Sequence, residues 1–200
     1  MSDSAAQQTT NAVEAIRTAL KSQFHAALAM LKMAIDRCPD SLWVDGDYVN
    51  PTWRIAYHAL YYTHLYIQPS AADFRPWEHH QTGIHDLDDY PAPPEIQELT
   101  EHSHRPPQTG EPYTKEDILT YWTLCDEMID PAIDALDLLS PESGFSWYRL
   151  PTLEHKLVNL RHIQHHTAQL GNRLREASSG SIGIDWVGAG RHAKRREFPQ

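Results

Sequence analysis

Two cysteines, Cys38 and Cys125, are all that the 200 residues contain, and they stand far apart in no CxxC spacing. That leaves no disulfide framework and suits two small buried hydrophobes in a reduced compartment. No apolar run approaches the roughly 18 residues that a membrane span needs, so no membrane association is expected. Met1 to Thr10 is polar, with no basic n-region, apolar h-region or cleavage site, which predicts no secretory signal and a cytoplasmic protein. Positive charge is also scarce. Lys and Arg number 17 against 27 Asp and Glu, a formal net charge of -10, so the surface as a whole repels phosphate backbones and no nucleic-acid partner is expected. The short basic run of Arg191, Lys194, Arg195 and Arg196 reads as a solvated end. A GxSxG elbow, a phosphate-cradling glycine loop, a dinucleotide fingerprint and an HExxH pair are all missing, so no independent catalytic motif stands out.

What is present is a globular composition, 40% apolar and 22% charged, at a length suited to a single domain over residues 1–200. Val13, Ile16, Leu20, Phe24, Ala27, Leu31 and Ile35 recur in steps of three and four and predict a helix over residues 11–37, stopped by Cys38-Pro39-Asp40. Asn50-Pro51 is a helix start, with the Asn side chain expected as the cap of a second helix over 51–67. Thr114 and Asp117 form a capping-box pattern ahead of Ile118, Tyr121, Trp122, Cys125, Ile129, Ala132 and Leu136, a third helix over 114–138 that Pro131 should kink or split. From Pro151-Thr152, Leu153, Leu157, Leu160, Ile163, Thr167, Leu170 and Leu174 predict a fourth helix over 152–177.

Four amphipathic helices bury their stripes most simply as an all-α, antiparallel four-helix bundle. The stretch from Pro69 to Tyr113, with eight prolines, reads as a long connection between the second and third helices, carrying a short helix at Glu95 to Glu101. Its length permits an up-down-down-up path, and as a loop over a rigid scaffold it is expected to wall or lid a site. Trp53, Tyr61, Trp77, Trp122, Trp147 and Trp186 suggest aromatic surface that would support a homodimer.

Thirteen histidines are unusually many, and most are expected to be ordinary. His79, His80, His85, His102 and His104 fall in the connection and read as exposed. His58 lies within a stripe with Ile55, Tyr62 and Leu65, where an imidazole is either a core residue satisfied by a hydroxyl or carbonyl, or a ligand. His162 and His166, at i and i+4, place two imidazoles on one face, a spacing able to point both at one ion. They lie about a quarter turn from the Leu157, Leu160, Leu170, Leu174 stripe, on a line with His155 and Asn159. That line is a pocket wall or a solvent face, and His165 points away from it.

The segment Trp53-Arg54-Ile55-Ala56-Tyr57-His58, followed about a hundred residues later by Leu160-Arg161-His162-Ile163-Gln164-His165-His166-Thr167-Ala168-Gln169-Leu170, resembles the DinB/YfiT-like superfamily of damage-inducible and thiol-transferase proteins. The resemblance covers about residues 11 to 177, and Ile184-Asp185-Trp186-Val187-Gly188 is similar to the family's aromatic and glycine tail. It implies an up-down-down-up four-helix bundle and one divalent metal ion held by His58, His162 and His166. Zinc comes first and nickel second, because imidazole accepts both and availability decides. Three imidazoles would leave an open position for a thiol or water. The implied function is a metal-dependent transferase joining a small-molecule thiol to an electrophile. Arg161 or Arg54 would receive a substrate carboxylate, unless both are simply solvated. A metal-dependent hydrolase and a non-catalytic, metal-binding stress-response bundle are the alternatives.

Overall fold

In the computed structural model, described for residues 3–44, 47–87 and 110–185, the chain is helical throughout its regular parts, and no strand occurs among the described residues. The helices are α1 (Asp3–Arg37), α2 (Asp40–Trp43), α3 (Thr52–Ile67), α4 (Lys115–Ala135) and α5 (Thr152–Ala177), with one 3₁₀ turn at Ala71–Asp73. One core joins the four long ones. Phe24, Leu28 and Leu31 of α1 meet Leu60 of α3, Ile118 and Ile129 of α4, and Ile163 and Leu170 of α5. Each long helix packs on two others: α1 on α4 and α5, and α3 on α4 and α5.

The cross-links between helices have a definite order. Going up α1, Arg17 reaches the carbonyls of Ile133 and Leu136, His25 reaches Asp126 and Asp130, and the Leu28 carbonyl takes the Trp122 indole N–H. Going up α3, His58 meets His162, the Thr63 carbonyl meets Asn159, and the Tyr66 carbonyl meets Lys156. Both series descend on the partner. Between α3 and α4, Leu60 meets Cys125, His64 meets Tyr121 and Gln68 meets Met128.

Several helix ends differ from the sequence expectation. α1 begins at Asp3 rather than Asn11, because its first two turns are exposed and so carry no apolar stripe. α3 starts without the expected Asn50 side-chain cap. Pro51 occupies the cap position and its carbonyl receives the amides of Arg54 and Ile55 at 3.0 and 3.3 Å. α4 begins with the expected capping box, Thr114 and Asp117 satisfying each other's backbone amides. It then runs through Pro131 without dividing in two and ends at Ala135. Arg17 donates to the carbonyls of Ile133, Asp134 and Leu136, supplying partners that the helix end lacks.

α5 departs most from its apolar pattern. Leu157, placed on the buried stripe by periodicity, is 49% exposed, whereas His155, Lys156 and Asn159 are fully buried. The cause lies on α3, whose last carbonyls need donors. Lys156 Nζ serves those of Tyr66 and Gln68, and Asn159 Nδ2 serves that of Thr63.

The described part of the long connection folds back onto the helices. Trp77 stacks on Tyr121 with ring centroids 4.7 Å apart and 6° between planes, and Ile84 and Leu87 enter the core. Tyr113 ties the connection's two ends together, its hydroxyl donating to the His79 carbonyl at 2.6 Å. Trp53, Tyr61 and Trp77 are buried, and Trp122 and Trp147 pack on the core, so these aromatics fill the interior. Cys38 and Cys125 are free and buried, as expected. The expected helix at Glu95 to Glu101, His102, His104, the Trp186-Val187-Gly188 tail and the basic run lie outside the described residues. No described helix is long and apolar enough to cross a membrane.

Candidate metal centre

α3 contributes His58 and α5 contributes His162 and His166. The i, i+4 spacing brings the two α5 rings edge to face, with centroids 4.4 Å apart and 73° between planes, and the α3–α5 packing brings His58 against both, at 5.0 Å from His162 and 4.4 Å from His166. The Nε2 atoms of His58 and His162 are 3.0 Å apart, as are those of His162 and His166. One ligand atom from each of the three lies within 4.8 Å of the others. His58 and His166 are buried and His162 is half-buried.

Hydrogen bonds on the far side of two rings decide where their protons sit. His58 Nδ1 lies 2.6 Å from the His85 carbonyl, which can only accept, so Nδ1 carries the proton and Nε2 the lone pair. His166 Nδ1 lies 2.8 Å from Gln169 Oε1, while the Gln169 amide group donates toward His165 at 3.2 Å, which orients the side chain and leaves the His166 Nε2 lone pair free. If His162 carried a proton on Nε2, it would donate to one neighbour and leave the other lone pair facing a third nitrogen at close range. No single proton satisfies all three. A cation at the centre does.

Electrostatics agree with this arrangement. Burial, reinforced by His166 and His162, pushes His58 well below the ordinary imidazole value. Burial, reinforced by His166 and His165, does the same to His162, and burial takes His166 down to about 4. Three imidazoles neutral at ordinary pH are the protonation state that a metal ligand requires. The donor set therefore fits a borderline ion such as zinc or nickel better than a hard one such as magnesium, which prefers oxygen.

The surroundings come from both helices and the connection. Tyr62 packs across the site, 4.7 Å from the His58 ring and 5.4 Å from that of His162. His85 stacks on Tyr61 at 4.0 Å and 18°. His80 accepts or donates with the Tyr57 hydroxyl at 2.6 Å. These two histidines, expected to be exposed, are instead half-buried, while His79 is exposed as expected. The connection thus walls the site on the side of His58. His165 is exposed and faces Gln169. Arg161 is exposed, and Arg54 is buried against the ring of its neighbour Trp53 at 5.2 Å.

Sequence reasoning missed two contributors. His85 acts through a main-chain carbonyl, which leaves no side-chain signal. Gln169 was legible in principle, three residues after His166 and so on its face of the helix. Compared with family models, curated proteins and solved structures, the chain matches none.

Proposed function

We propose that the chain is a DinB/YfiT-like, metal-dependent thiol transferase: a single cytoplasmic domain that holds one divalent ion, zinc first and nickel second, and joins a small-molecule thiol to an electrophile. The observation that carries it is the convergence of three imidazole lone pairs, two of them fixed from behind by His85 and Gln169. The resemblance of the His58 and His162-x-x-x-His166-x-x-Gln169 segments supports the family assignment. An antiparallel four-helix bundle is supported by the descending α1–α4 and α3–α5 cross-links, and its up-down-down-up path by the family resemblance. Two buried free thiols suit a reducing compartment.

An ion bound by three neutral imidazoles supplies an open coordination position and Lewis acidity, which lower the pKa of a thiol. The chain's own part is positional. The His85 carbonyl and Gln169 hold the proton of each ring on Nδ1, and Tyr62 covers the His58 and His162 faces against water. The reaction forms a carbon–sulfur bond as the thiol loses its proton and the electrophile its leaving group.

One observation favours a second reading. The ligands tie α3 to α5, so the ion is also a brace, and a non-catalytic metal-binding bundle would use it in that way. A panel of low-molecular-weight thiols and alkylating electrophiles, assayed with zinc-loaded and chelated protein, separates the two. Conjugation that depends on zinc supports the transferase. Absence of turnover across the panel, with a fall in unfolding temperature on chelation, supports the brace. Hydrolysis without thiol would reassign the site to a hydrolase.

A further inference from the structure

Two of the three histidines have their outer nitrogen held, His58 by the His85 carbonyl and His166 by Gln169. His162 Nδ1 is buried and has no partner among the described residues. One turn earlier on the same helix stands Asn159, fully buried. Its Nδ2 donates to the Thr63 carbonyl at 3.2 Å, and this fixes the amide, because the opposite rotamer would bring two oxygens together. The other end of that amide, Oδ1, is also buried and without a partner. An acceptor and a ring nitrogen, both lacking partners, therefore lie at i and i+3 on one helix, positions whose Cβ atoms are about 5–6 Å apart.

We propose that Asn159 is the positioning residue of His162: its Oδ1 accepts the Nδ1–H of that ring through one buried water, and so presents Nε2 unprotonated to the ion. The inference rests on the metal reading of the triad. It gives the third ligand what the other two visibly have, since ligating imidazoles nearly always donate their second N–H to an oxygen. It also gives a role to Asn159 Oδ1, the end of the amide that the Thr63 carbonyl does not use. The other buried unpartnered oxygen on this part of the helix, Thr167 Oγ1, borders a groove with Met30, Gln164 and Gly171 toward α1 and is a natural control.

The test is zinc affinity, by competition with a chromophoric chelator, for the unaltered chain, Asn159→Leu and Thr167→Val, with ring-¹⁵N NMR of the histidines in the zinc-loaded unaltered protein. Asn159→Leu is expected to weaken zinc binding by roughly 10- to 100-fold, the usual cost of losing such a partner, while Thr167→Val leaves it unchanged. In the spectra, His162 carries its proton on Nδ1, slowly exchanging and within nuclear Overhauser reach of the Asn159 side chain. Unchanged zinc affinity in a folded Asn159→Leu protein, or His162 protonated on Nε2, overturns the assignment and leaves the metal reading standing. An unaltered protein that binds no zinc overturns the metal reading, and the role of Asn159 with it. If Asn159→Leu does not fold, the spectra of the unaltered protein decide.

Discussion

His85 follows His58 by 27 residues, and its main-chain carbonyl accepts the Nδ1–H of that histidine at 2.6 Å. The ring of His58, carried by α3, is therefore also held from the connection. Trp77, stacked on Tyr121, is the anchor that holds this stretch down. Replacing Trp77 with Ala should cost about 3 kcal/mol of stability by the usual large-to-small rule. It should also weaken zinc binding by about tenfold through the loosened carbonyl. Hydrogen exchange over residues 74–87 should rise in parallel. Unaltered zinc affinity in a folded Trp77→Ala protein would mean that the connection does not position His58.

The ligand set makes an asymmetric claim. Elemental analysis should find about one ion per chain in the unaltered protein, as a single three-histidine site requires. His58→Ala, His162→Ala and His166→Ala should each lose it. His165→Ala should keep it, because that ring is exposed and lies outside the triad, meeting it only edge to face with His166 at 4.9 Å and through Gln169. Full metal content in His58→Ala, or loss in His165→Ala as complete as in His162→Ala, would disprove the triad.

His155 is fully buried among the rings of Tyr66, Phe145 and Tyr148, and neither ring nitrogen has a partner. Burial, aided by Lys156, lowers it to about 3. The unfolded chain, with a value near 6.5, then binds the proton more readily, so stability falls as pH drops from about 6.5 toward 3. His155→Phe fills the same aromatic cage and removes both the unsatisfied nitrogens and the titration. It should stabilise the protein by about 1 kcal/mol at pH 7 and by more at pH 5. Urea unfolding at the two pH values measures this, and an equal difference at both would refute the titration argument.

His25 is expected to act in the opposite sense. Burial lowers its pKa, but hydrogen bonds to Asp126 at 2.5 Å and Asp130 at 3.0 Å, with their charges, raise it more, and the net value lies above the ordinary one. Its contribution is complete below about pH 6.5 and is lost as pH rises through the folded value. His25→Gln should therefore cost about 1.5–3 kcal/mol at pH 5.5 and clearly less at pH 8.5. A cost independent of pH would show that the link between α1 and α4 does not depend on the imidazolium.

The four long helices were legible because each carries an apolar stripe, and α4 announced its start through Thr114 and Asp117. The His162 and His166 pair was legible because an i, i+4 spacing has geometric meaning before any fold is known, whereas His58 joined it only through the family resemblance. The first turns of α1 were not, since exposed helix carries no period. α2 is four residues long, too short for any pattern to accumulate. Leu157 misled because periodicity counts apolar side chains, whereas the buried face of α5 was chosen by hydrogen bonding: Lys156 and Asn159 go inward to meet the carbonyls of α3. The role of His85 belongs to a backbone oxygen, and any residue could have supplied it.

His58 and His162 stand 104 residues apart in the chain. At about 5–20 residues per second, a ribosome leaves His58 waiting roughly 5 to 20 s before its first partner exists. During that interval the growing chain holds only one of the triad's three imidazoles. An ion held by the triad would therefore be captured only after the synthesis of α5 and would not guide the earlier helices together. A chain that stops short of His166 still encodes α1, α3 and α4 but lacks the complete triad, so an ion at that site would separate finished molecules from interrupted ones.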